Sequence, residues 1–448
     1  MEELKEGWRK VKLGEIVEYV ARGITPKYTE EKESILVINQ KCIRNMVLNL
    51  ELAKKHDLSK KISKDKILKK YDILINSTGV GTLGRVCQNF NDTLLTVDSH
   101  VTILRADSQK INPLYLGYAI KNKEKLIESL GEGSTGQTEL KKDILLERIQ
   151  IDYPQNSFLQ KKIVSILSSL DEKIELNRKI NQNLEEIAQT LFKRWFIDFE
   201  FPNEEGKPYK SSGGKMSESE LEEIPVGWRV AKLGDFIKFI KGKKPKILVE
   251  KEDGINKFKY LTIKSINNEE ENYCSDEKVI FVSKNEIMMV MDGASSGDIY
   301  IGKEGVLGST LSKIEIDKSI DWSIVYYLLN YYKNEIKQHN TGSAIPHTDK
   351  NYIENITFFL PNNKKINYFS KIFKSILLKK IALEDEIYKL IELRDYLLPR
   401  LMSGEIDISN LKISEISNSD LSFYLIQFYH LKMIKLKLSF LAIVNYGF

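Results

Sequence analysis

The sequence predicts an α+β protein: two pseudo-repeated α/β domains separated by a pair of long antiparallel coiled-coil helices. Three observations carry this. The chain repeats itself, since Gly7-Trp8-Arg9 leads into Lys12-Leu13-Gly14-Glu15, and Gly227-Trp228-Arg229 leads into Lys232-Leu233-Gly234-Asp235, 220 positions later (227 − 7). Each copy opens with short apolar runs rich in β-branched residues, the mark of strands. Each copy closes on a long stretch whose apolar residues recur at alternating steps of four and three, the mark of a helix that packs along its length.

The first domain spans residues 1–154. Strands are expected at Ser34–Asn39, Asp72–Ser77 and Val97–Leu104, each bounded by Gly, Asn or Asp. A helix is expected over Pro113–Leu130, with apolar Leu116, Ala119, Ile120, Leu126 and Ile127 on one face. The second domain, 227–361, repeats the order. It has strands near Lys259–Ile263 and Glu286–Met291 and a helix near Trp322–Ile336. Smaller echoes support the pairing: Asp72-Ile73-Leu74-Ile75 with Glu286-Ile287-Met288-Met289, Gly133-Ser134 with Gly342-Ser343, and Pro154 with Pro361.

A long helix follows each domain, over 155–198 and 362–408. Its seam in the first is Ile163, Leu167, Leu170, Ile174, Asn177, Asn181, Leu184, Ala188, Leu191 and Trp195. In the second it is Phe369, Phe373, Ile376, Lys380, Leu383, Ile387, Leu390, Arg394, Leu397 and Leu401. One constant shift of 206 relates the two (369 − 163 and 401 − 195), with no insertion between. Asn177, Asn181, Lys380 and Arg394 interrupt the seams. They either fix register and partner choice or face solvent. The first helix leads away from the first domain, and pseudo-symmetry returns the second toward it, so the pair is expected to be antiparallel. A helix of 40 residues is about 60 Å long, and major-groove faces recur every ~34 Å. Such a pair would act as a ruler between two readers. Residues 199–226 read as a linker, loosest at Ser211-Ser212-Gly213-Gly214.

The bulk numbers agree. At 448 residues, 42% of them hydrophobic, each half can hold its own core. The net charge of +5 permits an acidic partner without demanding one. Cys42, Cys87 and Cys274 show no metal or disulfide spacing and read as reduced buried thiols in a cytoplasmic protein. The start, Met1-Glu2-Glu3-Leu4-Lys5, has no signal-peptide core, and no run reaches the ~18 apolar residues of a membrane span.

No catalytic constellation emerges. Gly79-Val80-Gly81-Thr82-Leu83-Gly84 fits G-x-G-x-x-G, but the residues after it read as a turn and a strand, where a dinucleotide site needs a helix N-terminus. Arg85-Val86 stands where a phosphate-binding loop needs Lys-Ser/Thr. The counterpart, Asp292-Gly293-Ala294-Ser295-Ser296-Gly297, breaks the pattern. A tight glycine turn is the better account, and such a loop can also approach a phosphate backbone. His56, His100, His339, His347 and His430 form no metal spacing, so no metal site is expected.

In their order, spacing and duplication, several segments together resemble the specificity subunits of type I restriction-modification systems. They are Gly7-Trp8 and Gly227-Trp228, Asp171-Glu172-Lys173-Ile174-Glu175-Leu176-Asn177, Leu191 through Phe199, and Leu397-Leu398-Pro399-Arg400-Leu401-Met402-Ser403-Gly404-Glu405-Ile406. The likeness covers about residues 5–408. It implies that each domain is a target recognition domain reading one half of a bipartite double-stranded DNA site. It implies that the helices set the spacer and dock two modification (methyltransferase) subunits. Those methylate adenine with S-adenosylmethionine, and restriction subunits add translocation and cleavage driven by ATP and Mg. The chain itself would be no enzyme, would carry no cofactor, and would work in a bacterial or archaeal cytoplasm near the nucleoid. The stretch 409–448 departs from the family pattern and is expected to be a poorly ordered or accessory tail.

Candidate DNA contacts are polar or basic loop residues matched between the halves: Lys41 and Arg44 with Lys264, Thr78 and Arg85 with Ser295 and Ser296, and Ser134, Thr135 and Gln137 with Ser343 and His347. Arg suits guanine and Gln suits adenine. At each position a solvated surface residue or turn former is the competing reading. Helix pairing is assigned to Leu167, Leu170, Ile174, Asn177, Asn181 and Leu184 on one side, and to Phe373, Ile376, Leu383, Ile387, Leu390 and Leu397 on the other. The alternatives are the specificity subunit of another methylase-nuclease assembly and a coiled-coil scaffold without DNA readout.

Overall fold

A computed structural model of the chain describes residues 5–31, 33–133, 138–267, 269–275, 278–342 and 344–409. Ser134, Thr135, Gln137, Ser343 and nearly all of the expected tail lie outside the described residues. The chain forms two compact units. Unit 1 joins the residues up to Glu175 to those from Tyr388 onward, and unit 2 is Leu176–Ile387. Both boundaries fall inside the long helices, Ser157–Phe192 and Asn363–Met402.

Unit 1 is built on a four-stranded and a three-stranded sheet. In the four-stranded sheet, Val101–Ala106 lies between Val17–Arg22 and Ile73–Asn76, and Val86–Gln88 completes the edge. In the three-stranded sheet, Ser34–Ile38 pairs antiparallel with Lys54–Asp57 and parallel with Leu95–Val97. A ribbon of Trp8–Lys12 with Gln150–Pro154 brings the two ends of this domain together, Trp8 opposite Pro154. Val97–Leu104, expected as one strand, is two. Asp98–His100 makes a turn between them, held by the His100 N–H to the Asp98 carboxylate at 2.9 Å. The apolar run continues because both flanking strands are buried.

Unit 2 repeats the plan. Leu311–Ile316 lies between Ile237–Lys241 and Ile287–Val290, with Ile299–Tyr300 at the edge. Phe258–Leu261 pairs parallel with Gly305–Leu307, and Arg229–Lys232 pairs with Thr357–Leu360. The single helices expected over Pro113–Leu130 and Trp322–Ile336 are both broken in two. Pro113–Asn122 gives way to Glu124–Ser129 at Lys123, and Trp322–Tyr331 gives way to Lys333–Gln338 at Tyr332. Both hinge residues leave helical geometry at ψ +6°. The break keeps Ile127 and Ile336 buried after the chain changes direction, which one straight helix would not do. Asn112 and Asp321 cap the first members through their side chains.

The stretch expected as a linker is anchored in unit 2. Phe199 and Phe201 are fully buried; Phe201 stacks on Trp228 at 5.3 Å and on Tyr209 at 4.6 Å. Cys42, Cys87 and Cys274 are buried and unlinked, and burial pushes all three thiols up, so they stay protonated. No helix among the described residues is long and apolar enough to cross a membrane.

Candidate nucleic-acid interface

The glycine loops are turns between antiparallel strands, not helix starts. Gly79, Gly81, Gly84, Gly293 and Gly297 all have positive φ. At Gly84 a Cβ would lie 2.9 Å from the Glu128 backbone nitrogen, so the loop slides under the following short helix only as glycine. Gly297 sits the same way beneath Lys337, at 3.0 Å.

A second strip of chain crosses each loop, by the same hydrogen bonds. In unit 1, Leu140 N–H donates to Ser77 O at 2.8 Å and Gly79 N–H to Thr138 O at 3.1 Å. In unit 2, Thr348 N–H donates to Met291 O at 2.9 Å and Gly293 N–H to Pro346 O at 2.9 Å. Glu132 and Glu139 bond each other mutually, as do Thr341 and His347. The ladder makes Thr78 the counterpart of Asp292 and Glu139 the counterpart of His347. Arg22 and Lys241 hold matching places on the neighbouring strand, opposite Thr102 and Ser312. Arg22 reaches Glu139 at 2.7 Å, and Lys241 lies 3.6 Å from Asp292.

Beside each loop stands a short turn with a lysine. Asn39 starts the turn at Gln40–Cys42 by accepting from Lys41 N at 2.9 Å; Thr262 starts Ile263–Ile266 by accepting from Ser265 N at 3.1 Å. Lys41 and Lys264 are therefore equivalent and both exposed. Lys264 Nζ lies 3.6 Å from a Glu270 carboxylate oxygen. Arg44 is exposed two residues beyond the turn, on the edge ribbon with Val47–Leu48.

Other expected contacts are held inward. Arg85 donates to Gly81 O at 2.7 Å and staples its own loop. Ser296 is 2% exposed and its hydroxyl serves Gly293 O and Pro346 O, at 2.7 and 2.8 Å. Both shape the turn. Ser295 is half-buried. Thr78 lends its hydroxyl to Gln40 and His100. Gln40, His100, Arg22, Lys241 and Asp292 belong to the same surfaces and were not singled out by the sequence. The signal was the residue just ahead of the first glycine, a hydrogen-bonding side chain in both halves. Near unit 2's loop, burial alone would raise the Asp298 carboxyl. The hydrogen bonds from Lys337 and Lys333, at 2.7 and 2.9 Å, hold it below the usual carboxylate range.

The long helices pack together, antiparallel within each unit. In unit 2, Glu185 meets Lys380 while Trp195, further on, meets Phe369, earlier in its helix. In unit 1, Arg394 reaches Asp171 at 2.9 Å, and Asp171 accepts from Tyr118 Oη at 2.7 Å. Lys380 and Arg394 thus serve as cross-helix ion-pair partners. In sequence the pairs lie fourteen residues apart along each helix (185 − 171 and 394 − 380), two heptads. Leu167, Leu170, Ile174, Phe373, Leu383, Leu390 and Leu397 are buried; Leu184, Ile376 and Ile387 are partly buried.

Asn177 is fully buried, and among the described residues neither of its amide atoms has a hydrogen-bond partner. Asn181 donates to Lys380 O at 3.4 Å, leaving its own oxygen unpartnered. An orphaned buried amide costs ~1–3 kcal/mol. Asn177→Leu is therefore expected to raise stability by about 1–2 kcal/mol in chemical denaturation. A loss of stability would mean that the amide is satisfied.

Each Gly-Trp turn docks on the end of a long helix. Trp228 packs on Phe196, Phe199 and Phe201. Trp8 lies against Gly404, where an added Cβ would approach its ring to 2.9 Å, and Lys5 donates to Gly404 O at 3.3 Å. The segments that recur in the sequence are therefore the joints between globular domain and helix. Among the described residues, no group of His, Cys, Asp and Glu is arranged to hold a metal.

Known proteins share this construction. The profile of the type I restriction modification DNA specificity domain matches residues 5–186 and 225–393. Over 165 residues the chain is 34% identical to the type I restriction enzyme MjaVIII specificity subunit of Methanocaldococcus jannaschii, covering 33% of this chain and 36% of that one. Over 311 residues it is 30% identical to the MjaIX specificity subunit of the same organism, covering 66% of this chain and 70% of the relative. The crystal structure of a type I restriction-modification S subunit from M. genitalium has the same fold, with a TM-score of 0.55 at 18% identity, across 89% of this chain and 97% of that one. The profile matches once on each half of this twofold construction, and the chain belongs to the type I restriction-modification family as a DNA specificity subunit.

Proposed function

We propose that each unit reads one half of a bipartite duplex site and that the paired helices set the spacer and dock two adenine methyltransferase subunits. Subunits of this family are non-catalytic and carry no cofactor. S-adenosylmethionine belongs to the methyltransferase, and ATP and Mg to the restriction subunits that complete the assembly. The observation that carries the reading is the twin construction of the loops. The same crossed glycine turn, flanked by Lys41 in one unit and Lys264 in the other, recurs on two recognition domains. Polar groups clustered on a rigid turn are what base-edge readout needs, and neighbouring basic side chains suit the phosphates.

The test is a map of N6-methyladenine in cells making the chain with its methyltransferase, against cells lacking the chain. A bipartite motif present only with the chain is the expected result. Exchanging residues 227–361 for another recognition domain should change one half-site and leave the other intact; changes in both halves would sink the modular reading. Asn177→Leu with Asn181→Leu should leave the bases of both half-sites unchanged, because the seam touches the spacer and not the readers.

A further inference from the structure

We propose that His100 and His347 are base-edge readers, one in each unit, and that they offer opposite hydrogen-bonding faces to DNA. The inference rests on the half-site reading above and adds to it the chemistry of one contact in each half.

Both histidines are exposed, and both are held by the residue just ahead of the first loop glycine. Thr78 Oγ1 lies 2.8 Å from His100 Nδ1. Asp292 Oδ1 lies 2.7 Å from His347 Nδ1. The holding residues are equivalent, but the histidines come from different segments. His100 closes the turn between two strands, and His347 lies on the strip that crosses the loop. One arrangement has thus been reached from two directions. An imidazole fixed at Nδ1 turns Nε2 outward, and among the described residues neither Nε2 has a hydrogen-bond partner.

The partner decides what each Nε2 can do. Gln40 Nε2 donates to the Thr78 carbonyl, which can only accept, so the amide nitrogen faces Thr78. The same nitrogen donates to Thr78 Oγ1 at 2.7 Å. The hydroxyl keeps its hydrogen, and in the proposed arrangement His100 Nδ1 accepts it. The neutral ring carries its own proton on Nε2 and presents a donor. Asp292 accepts, so His347 carries a proton on Nδ1, and as the neutral ring it presents a lone pair at Nε2. Lys241 lies 3.6 Å from the other Asp292 oxygen.

A donor at His100 suits an acceptor-bearing edge, guanine N7 or O6 above all. An acceptor at His347 suits an amino group, adenine N6 or cytosine N4. In that neutral form it cannot hydrogen-bond a phosphate oxygen, which also only accepts. For His347 this selects a base over the backbone.

The test uses the assembled complex and the methylation map. If the unaltered chain gives no bipartite motif, the half-site reading fails before this one is reached. Given a motif, His347→Ala is expected to relax one amino-bearing position in one half-site. Discrimination there should fall about fivefold to tenfold, with the other half-site unchanged. His100→Ala should relax one position in the other half-site. Thr78→Val, nearly the same size, should relax the same position as His100→Ala, because it deletes only the hydroxyl that orients the ring. His347→Gln guards against a misfolded alanine variant and is read at the same position. A motif unchanged at every position overturns the proposal. So does a uniform drop in methylation across all sites by complexes that assemble normally, since that is the signature of a phosphate contact.

Discussion

Phe369→Ala is expected to destabilise unit 2 by about 4 kcal/mol. Phe369 is fully buried on the second long helix. Its ring lies 4.9 Å from Trp195, 5.3 Å from Phe196, 5.7 Å from Phe201 and 6.2 Å from Trp228. One side chain thus joins the end of the first helix, the anchored 199–225 stretch and the Gly-Trp turn. Its removal leaves a cavity that rigid aromatic rings cannot collapse to fill. Three of the four tryptophans, Trp195, Trp228 and Trp322, lie in this unit, so urea unfolding followed by their fluorescence reports on it selectively. Phe369→Leu should cost about 1 kcal/mol. A loss below 1 kcal/mol for the alanine variant would show that the cluster repacks.

The second large effect lies in unit 1. Arg105 grips Asp72 through two hydrogen bonds of 2.7 Å, and Asp72 is 1% exposed. The Tyr19 ring covers the guanidinium at 5.1 Å. Arg105→Leu strands a buried carboxylate and is expected to cost ~3–5 kcal/mol. Adding Asp72→Asn removes the stranded charge, while the amide oxygen can still accept from Lys69 N. The double variant should recover about 2 kcal/mol of that loss. A thermal-shift cycle over the four proteins measures the coupling. If the double variant is no more stable than Arg105→Leu, the pair acts through packing and not through charge.

Asp72 also marks where sequence reading reaches and where it stops. The repeat shows an acid recurring before the same strand, as Asp72 and Glu286. It does not show the partner. Asp72 takes Arg105, and Glu286 takes Lys313 at 2.8 Å, a place not matched by the strand register. The helix seams were legible because their signal is internal: one shift of 206 residues carries every pairing position across. The breaks at Lys123 and Tyr332 were not, because Leu126, Ile127 and Ile336 keep the apolar period across a change of direction. At the interface, Lys41 and Lys264 were found by their place after matched strands. Arg85 and Ser296 looked alike to the sequence, and local carbonyls claimed both. His100 was passed over because its partner, Thr78, is 22 positions away (100 − 78), and Gln40, which bonds Thr78, is 60 away (100 − 40).

The two units differ in how their chain is laid out. Unit 2 is one uninterrupted stretch, whereas unit 1 closes by contacts such as Arg394 to Asp171, 223 residues apart, and Lys5 to Gly404, 399 apart. On a ribosome the second unit can complete its core as soon as its own residues have emerged. The first must wait, with its apolar helix face uncovered, until the last turns of the second helix are made. The unit that is begun first is thus the one completed last. The half that appears first is the half that depends on chaperones longest, and a slow or stalled ribosome beyond Ile387 would endanger unit 1 and spare unit 2.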